Sequence, residues 1–152
     1  MIRLLLTVIL FCAGIATNAQ NNNPQYNKTL ADSLGADEYG MKMYMLVILK
    51  TGPSEIKDKP TVDSLFGGHL QNIGRLAKEG KMVVAGPLGK NDKTYRGIFI
   101  LNVKTEAAAK ELLQTDPAIK AKLLDAEMYP WYGSAALPMY LPHHDKVQKS
   151  NF

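Results

Sequence analysis

Cysteine is almost missing from this chain. Cys12 stands alone among 152 residues, and it falls inside a stretch that reads as a cleavable leader. Met1-Ile2-Arg3 is a short basic start, Leu4 to Ile15 is an apolar run, and Thr17-Asn18-Ala19 puts small residues where a signal peptidase cuts. Cleavage after Ala19 is expected, with segment 1–19 removed and the remainder exported to the periplasm or secreted. Phe11 is too bulky to precede a lipidated Cys12. The mature chain then has no disulfide, no thiolate nucleophile and no cysteine-based zinc site, so folding must rest on buried apolar surface.

Other absences narrow the function. A membrane span needs roughly 20 apolar residues, the leader is shorter, and no second such run follows, so no stable membrane association is expected. Lysine and arginine outnumber acidic residues only by 18 to 14, and Lys57, Lys59, Lys90 and Lys93 scatter through loop-like segments. No nucleic-acid partner is expected from so diffuse an excess. There is no phosphate-binding glycine loop with a following lysine, no His-Glu-x-x-His helix and no Gly-x-Ser-x-Gly elbow. Nucleotide-dependent and zinc-peptidase chemistry therefore lack support, and no metal or cofactor is assigned.

What is present is a regular succession of elements. Residues 20–40 are polar with little periodicity and are read as a flexible lead-in. Lys42 to Lys50 predicts a strand, and a helix follows Pro60, capped by Thr61 and ended at Gly80. Lys81 to Leu88 and Tyr95 to Val103 predict a hairpin around Asn91-Asp92-Lys93. Thr105 to Leu113 is a second amphipathic helix, Asp116-Pro117 starts a further helical turn, and Leu123 to Trp131 is the last strand. The order is βαββαβ, an α+β ferredoxin-like domain over 41–133, followed by a tail, 134–152. Met43 to Leu49 and Ile98 to Leu101 are apolar on both faces, whereas two helices cover only one. The uncovered face predicts a homodimer joined sheet to sheet.

His69 is the leading site candidate. It lies on the helical stripe of Val62, Leu65, Ile73 and Leu76, where an aliphatic residue is expected. One reading is a core histidine bonded to a backbone carbonyl; the other is an acid–base group in an apolar cavity. Asp116 before Pro117 is a standard helix start, its carboxylate capping free N–H groups, and the same carboxylate can orient an imidazole. Gly67 and Gly68, each costing about 1 kcal/mol inside a helix, imply close packing or ligand access beside His69. Gly86-Pro87 bends the end of the second strand. Arg96 and Tyr44 are candidates for an anion contact and a hydroxyl, although alternation leaves their face open, and Trp131 reads as a packing anchor or a stacking platform. His143-His144-Asp145 offers metal-ligand chemistry but reads better as part of a solvated tail.

The runs GGHLQNIGRLAKEGKMVVAGPLG, RGIFIL and TDPAIKAKLLDAEMYPWYG, in this order and spacing, resemble the YciI-like (YCII-related domain) family over about residues 42–133. The resemblance implies a dimeric α+β barrel, with a histidine and an aspartate, here His69 and Asp116, as the proposed catalytic pair. Tyr44, Gly86, Pro87, Arg96 and Trp131 are then candidates for the substrate pocket. Relatives with this barrel include isomerases, dehydrochlorinases and oxygenases acting on small, often cyclic, molecules. The expectation is an isomerase- or lyase-type enzyme that needs no cofactor. The alternatives are a non-catalytic small-molecule binder and a haem protein with His69 as axial ligand. One departure stands out: where the family has a glycine in the phrase Asp-Pro-x-x-x-Ala-Gly, this chain has Ala121-Lys122, which predicts a different turn. The two terminal segments lie outside the resemblance and are positioned to reshape the pocket mouth.

Overall fold

The computed structural model describes residues 23–150; the expected leader and its cleavage site lie outside them. The β-branched and aromatic runs form β1 (Met41–Thr51), β2 (Met82–Pro87), β3 (Tyr95–Leu101) and β4 (Leu124–Ser134). They make one antiparallel sheet in the order β2-β3-β1-β4, with β1 and β3 central. The helices are α1 (Lys28–Leu34), α2 (Lys59–Lys78), α3 (Glu106–Leu113), α4 (Pro117–Lys120) and α5 (Leu141–Val147). This is the βαββαβ ferredoxin-like arrangement, extended by α1 before it and α5 after it.

Local chemistry sets the boundaries. The cap of α2 is Asp58 rather than Thr61: its carboxylate accepts the Thr61 N–H at 3.0 Å and the Thr61 hydroxyl at 2.6 Å. A carboxylate complements the positive end of a helix better than a hydroxyl, and Pro60 fits in the first turn, where no N–H is needed. Gly80 ends the helix in the left-handed conformation at φ 66°, as expected. Thr105 caps α3 through the Ala108 N–H, and Asn91 organises the hairpin by accepting from the N–H groups of Lys93 and Tyr95.

Period-two alternation in the strands divides the interior. Met45, Val47, Leu49, Phe99 and Leu101 face the helices and pack with Leu76, Leu113 and Ile119 in the main core. On the opposite face Tyr44, Val83 and Ile100 form a smaller cluster with Leu46, Trp131 and Leu137. Ile48 and Ile98, register partners on that second face, are only half-buried.

Among the described residues both terminal segments contain helices that the sequence reading did not predict. Within the lead-in, α1 is capped by Asn27, closed by Gly35 at φ 69° and tied by Lys28–Asp32 at 2.7 Å, all local interactions. The tail turns through a 3₁₀ segment, Leu137–Tyr140, into α5. Leu137 packs on the second cluster while the Tyr140 hydroxyl donates to the Val83 carbonyl of edge strand β2, so the tail wraps that edge. Lys122 corrects the expectation of a different turn: it takes the left-handed conformation that glycine favours, at φ 60°. No helix among the described residues is long and apolar enough to cross a membrane.

Candidate active site

The amphipathic pattern of α2 turns His69 inward, leaving it only 9 % exposed, and its ring packs between two phenylalanines. Phe99 of β3 stacks on it with centroids 5.8 Å apart at 29°, and Phe66, one turn earlier on α2, meets it edge-on at 6.1 Å. Asp116, 1 % exposed, closes the remaining side. Its Oδ2 lies 2.6 Å from His69 Nδ1, while Oδ1 accepts the α4 N–H groups of Ala118 at 2.9 Å and Ile119 at 3.3 Å. The two readings of this aspartate are therefore both realised, one on each oxygen. Of the two readings of His69, the backbone-carbonyl partner is replaced by the carboxylate.

A carboxylate oxygen can only accept, so Nδ1 is the donor of this contact and Nε2 is the ring nitrogen left for another partner. No protein group bonds Nε2, and no interior side-chain polar atom is sealed off without a partner among the described residues. Nε2 thus opens on the groove that His69 lines, a space of ≈ 1470 Å³ between α2, the β2–β3 edge and α5. Its floor is apolar, with Leu49, Phe66, Ile73, Phe99 and Leu124. Gly86, Pro87 and Arg96 line it from β2 and β3, and Leu141, His144 and Asp145 from α5.

Five of the seven residues singled out from the sequence therefore meet at one groove: His69, Asp116 behind it, Gly86, Pro87 and Arg96. Tyr44 and Trp131 do not join it. They are paired across β1 and β4 on the opposite face of the sheet, rings 5.7 Å apart, and the Tyr44 hydroxyl donates to the Ser134 carbonyl at 2.9 Å. Burial lifts the Tyr44 phenol above its ordinary range. Trp131 is a packing anchor: an ideal Cβ on Gly133 would lie 2.3 Å from its ring, so the missing side chain is what lets the indole lie there. Alternation places these two away from His69 because Tyr44 neighbours Met45 along β1, and Met45 faces the helices.

Sequence reasoning overlooked Asn72, Arg75 and Thr115. Asn72 is buried one turn after His69 on the same stripe, which was the available signal. Arg75 Nη2 reaches Asn72 Oδ1 at 2.7 Å and Thr115 Oγ1 at 2.9 Å. His144 and Asp145 are exposed, as a solvated tail predicts, and they also line the groove because Tyr140 carries the chain around β2. Among the described residues no group of three His, Cys, Asp or Glu is placed to hold a metal ion; His69 Nε2 is the one open position for a ligand on the pair.

The model of the YCII-related domain matches residues 43–132, more than half of the chain. The chain belongs to the YCII-related domain family. Nothing among the curated proteins matches it. A solved structure, the 5-chloro-2-hydroxyhydroquinone dehydrochlorinase (TftG) from Burkholderia phenoliruptrix AC1100 in complex with 2,5-dihydroxybenzoquinone, is similar at 22% identity. That similarity covers 58% of this chain and 92% of that one, with a TM-score of 0.43. The YCII-related match includes both His69 and Asp116 and stops before Gly133. The wall made by Leu141, His144 and Asp145 is thus an addition to the YCII-related domain.

Proposed function

We propose that this chain is an exported, homodimeric enzyme of the isomerase or lyase type, acting on a small, largely apolar or cyclic molecule, with His69 as acid–base and Asp116 as its orienting partner. The observation that carries the reading is the 2.6 Å contact of Asp116 Oδ2 with His69 Nδ1, which leaves Nε2 unbonded at an apolar groove. In the reaction Nε2 takes a proton from carbon or oxygen of the substrate. In an isomerisation the same proton returns to a neighbouring atom. In an elimination the C–H electron pair becomes the new π bond and the leaving group departs with its own pair. Positioned proton transfer of this kind accelerates a reaction by about 10²–10⁴-fold, and the apolar floor helps by excluding water. The half-buried Leu46, Ile48 and Ile98 on the second face of the sheet support a second copy as the partner there. Export rests on the leader-like residues 1–19.

The test begins with a thermal-shift screen of small cyclic compounds, since a ligand of the native state must raise the melting temperature. Each hit is then assayed for conversion by the wild type, His69→Ala and Asp116→Asn. Conversion by the wild type that disappears in His69→Ala and weakens strongly in Asp116→Asn is expected. Conversion that survives in His69→Ala overturns the role of the histidine, and hits that bind to the wild type without conversion identify a binding module.

A further inference from the structure

Three consecutive residues ahead of and within α4 meet α2 in a staircase. Pro117 sits on Gly68, Asp116 on His69, and Thr115 on Asn72 and Arg75. The last step is built around a guanidinium. Arg75 Nη2 spans Asn72 Oδ1 at 2.7 Å and Thr115 Oγ1 at 2.9 Å, and Nη1 donates to Glu79 Oε1 at 2.8 Å. The Thr115 hydroxyl lies 2.6 Å from the Leu112 carbonyl and thereby ties the clamp to the end of α3.

We propose that Arg75 is a positioning residue for the His69–Asp116 pair, acting through Thr115. The inference rests on that pair's geometry and not on turnover by it. A helix of one turn, such as α4, has no stability of its own, so the direction in which Asp116 points depends on its cap bonds to Ala118 and Ile119, on the seat of Pro117 against Gly68 and on what holds Thr115 before it. A guanidinium suits this task because its donors lie in a fixed fork that reaches two acceptors at once, which a lysine ammonium on a flexible stem does not reproduce. The contact it protects is sensitive: a displacement of about 1 Å between catalytic groups costs on the order of 10²-fold in rate. Arg75 also lines the groove, so the clamp and the pair share one wall.

The test reads the imidazole directly, by nitrogen and proton NMR of the full chain. In the wild type His69 is expected to show a protected Nδ1–H resonance and nitrogen shifts of a single tautomer, unlike the tail residues His143 and His144. Arg75→Met and Thr115→Val are expected to lose the protected proton and to average the two nitrogens of His69, with the tail histidines unchanged and with partial recovery in Arg75→Lys. Thr115→Val is nearly isosteric and keeps the assay decisive if Arg75→Met does not fold. Unaltered His69 resonances in the variants, with only a lower melting temperature, overturn the proposal and leave the clamp as a fold tether. Loss of conversion in His69→Ala reports on the catalytic reading alone, so the two fail separately.

Discussion

Gly68 lies directly under Pro117: a Cβ built on the glycine would come within 2.8 Å of the proline Cγ. The neighbouring Gly67 has nothing within 4 Å of the same position. Two adjacent glycines in one helix therefore carry opposite expectations. Gly67→Ala is expected to gain up to about 1 kcal/mol from helix propensity. Gly68→Ala is expected to lose about 1–3 kcal/mol, the usual range for overpacking, because a proline ring yields little, and to disturb the His69–Asp116 contact. Denaturant unfolding of both variants measures this, and a stabilised Gly68→Ala would contradict the close approach.

Lys122 pays a steric penalty that glycine avoids. Its φ of 60° places its Cβ against the backbone, at a cost of roughly 1–2 kcal/mol per residue. Glycine returns part of that gain as unfolded-chain entropy. Lys122→Gly is thus expected to stabilise the protein by up to about 1 kcal/mol, read as a higher denaturation midpoint with an unchanged slope.

The Tyr132 hydroxyl donates to Asp37, joining the end of β4 to the loop before β1. That bond pushes the phenol up to about 12, and it holds the Asp37 carboxyl below the usual carboxylate range together with the N–H group of Met41. The folded state keeps the phenolic proton more tightly than the unfolded state. Its contribution is full below the ordinary tyrosine range near 10 and is lost as pH rises through about 12. The Asp37 contribution is present above its ordinary value of 3.8 and is lost as pH falls through its lowered folded value. Ultraviolet titration is expected to lose one late-ionising tyrosine in Tyr132→Phe, while other raised phenols such as Tyr44 remain.

Leu141, His144 and Asp145 of α5 line the same groove as His69, so α5 is expected to limit access to the imidazole. Truncation after Tyr140 keeps the Tyr140–Val83 bond and removes Leu141, His144 and Asp145 from the groove. Carbethoxylation of His69 Nε2 by diethyl pyrocarbonate, followed by mass spectrometry, is expected to be several-fold faster in the truncated chain. An unchanged rate would mean that α5 does not limit entry.

Ile48 and Ile98 face each other across β1 and β3 on the second face of the sheet. If a second copy covers them, Ile48→Asp buries a charge in the interface and is expected to yield a monomer. Light scattering after gel filtration decides between one and two copies.

The order of strands and helices was legible because local signals agree: β-branched runs, Gly80 after α2, Thr105 before α3, the Asn91 turn. His69 and Asp116 were legible for the same reason, as a polar residue on an apolar stripe and an aspartate before proline. Their neighbours were less so. The face of Tyr44 stayed open since β1 is apolar on both sides, and alternation then sorts its residues into two sets without saying which set meets the helices.

The sequence alone determined the local elements and the chemical identity of the candidate pair, because capping, periodicity and turn preference act over a few residues. Only the tertiary structure decided that the pair is in contact, across 47 positions of chain, that Arg75 and Asn72 grip Thr115 beside it, and that the tail wraps β2 to wall the groove. Those contacts depend on where helices settle on a sheet, and that is fixed by the packing of many side chains together rather than by any one segment's preference.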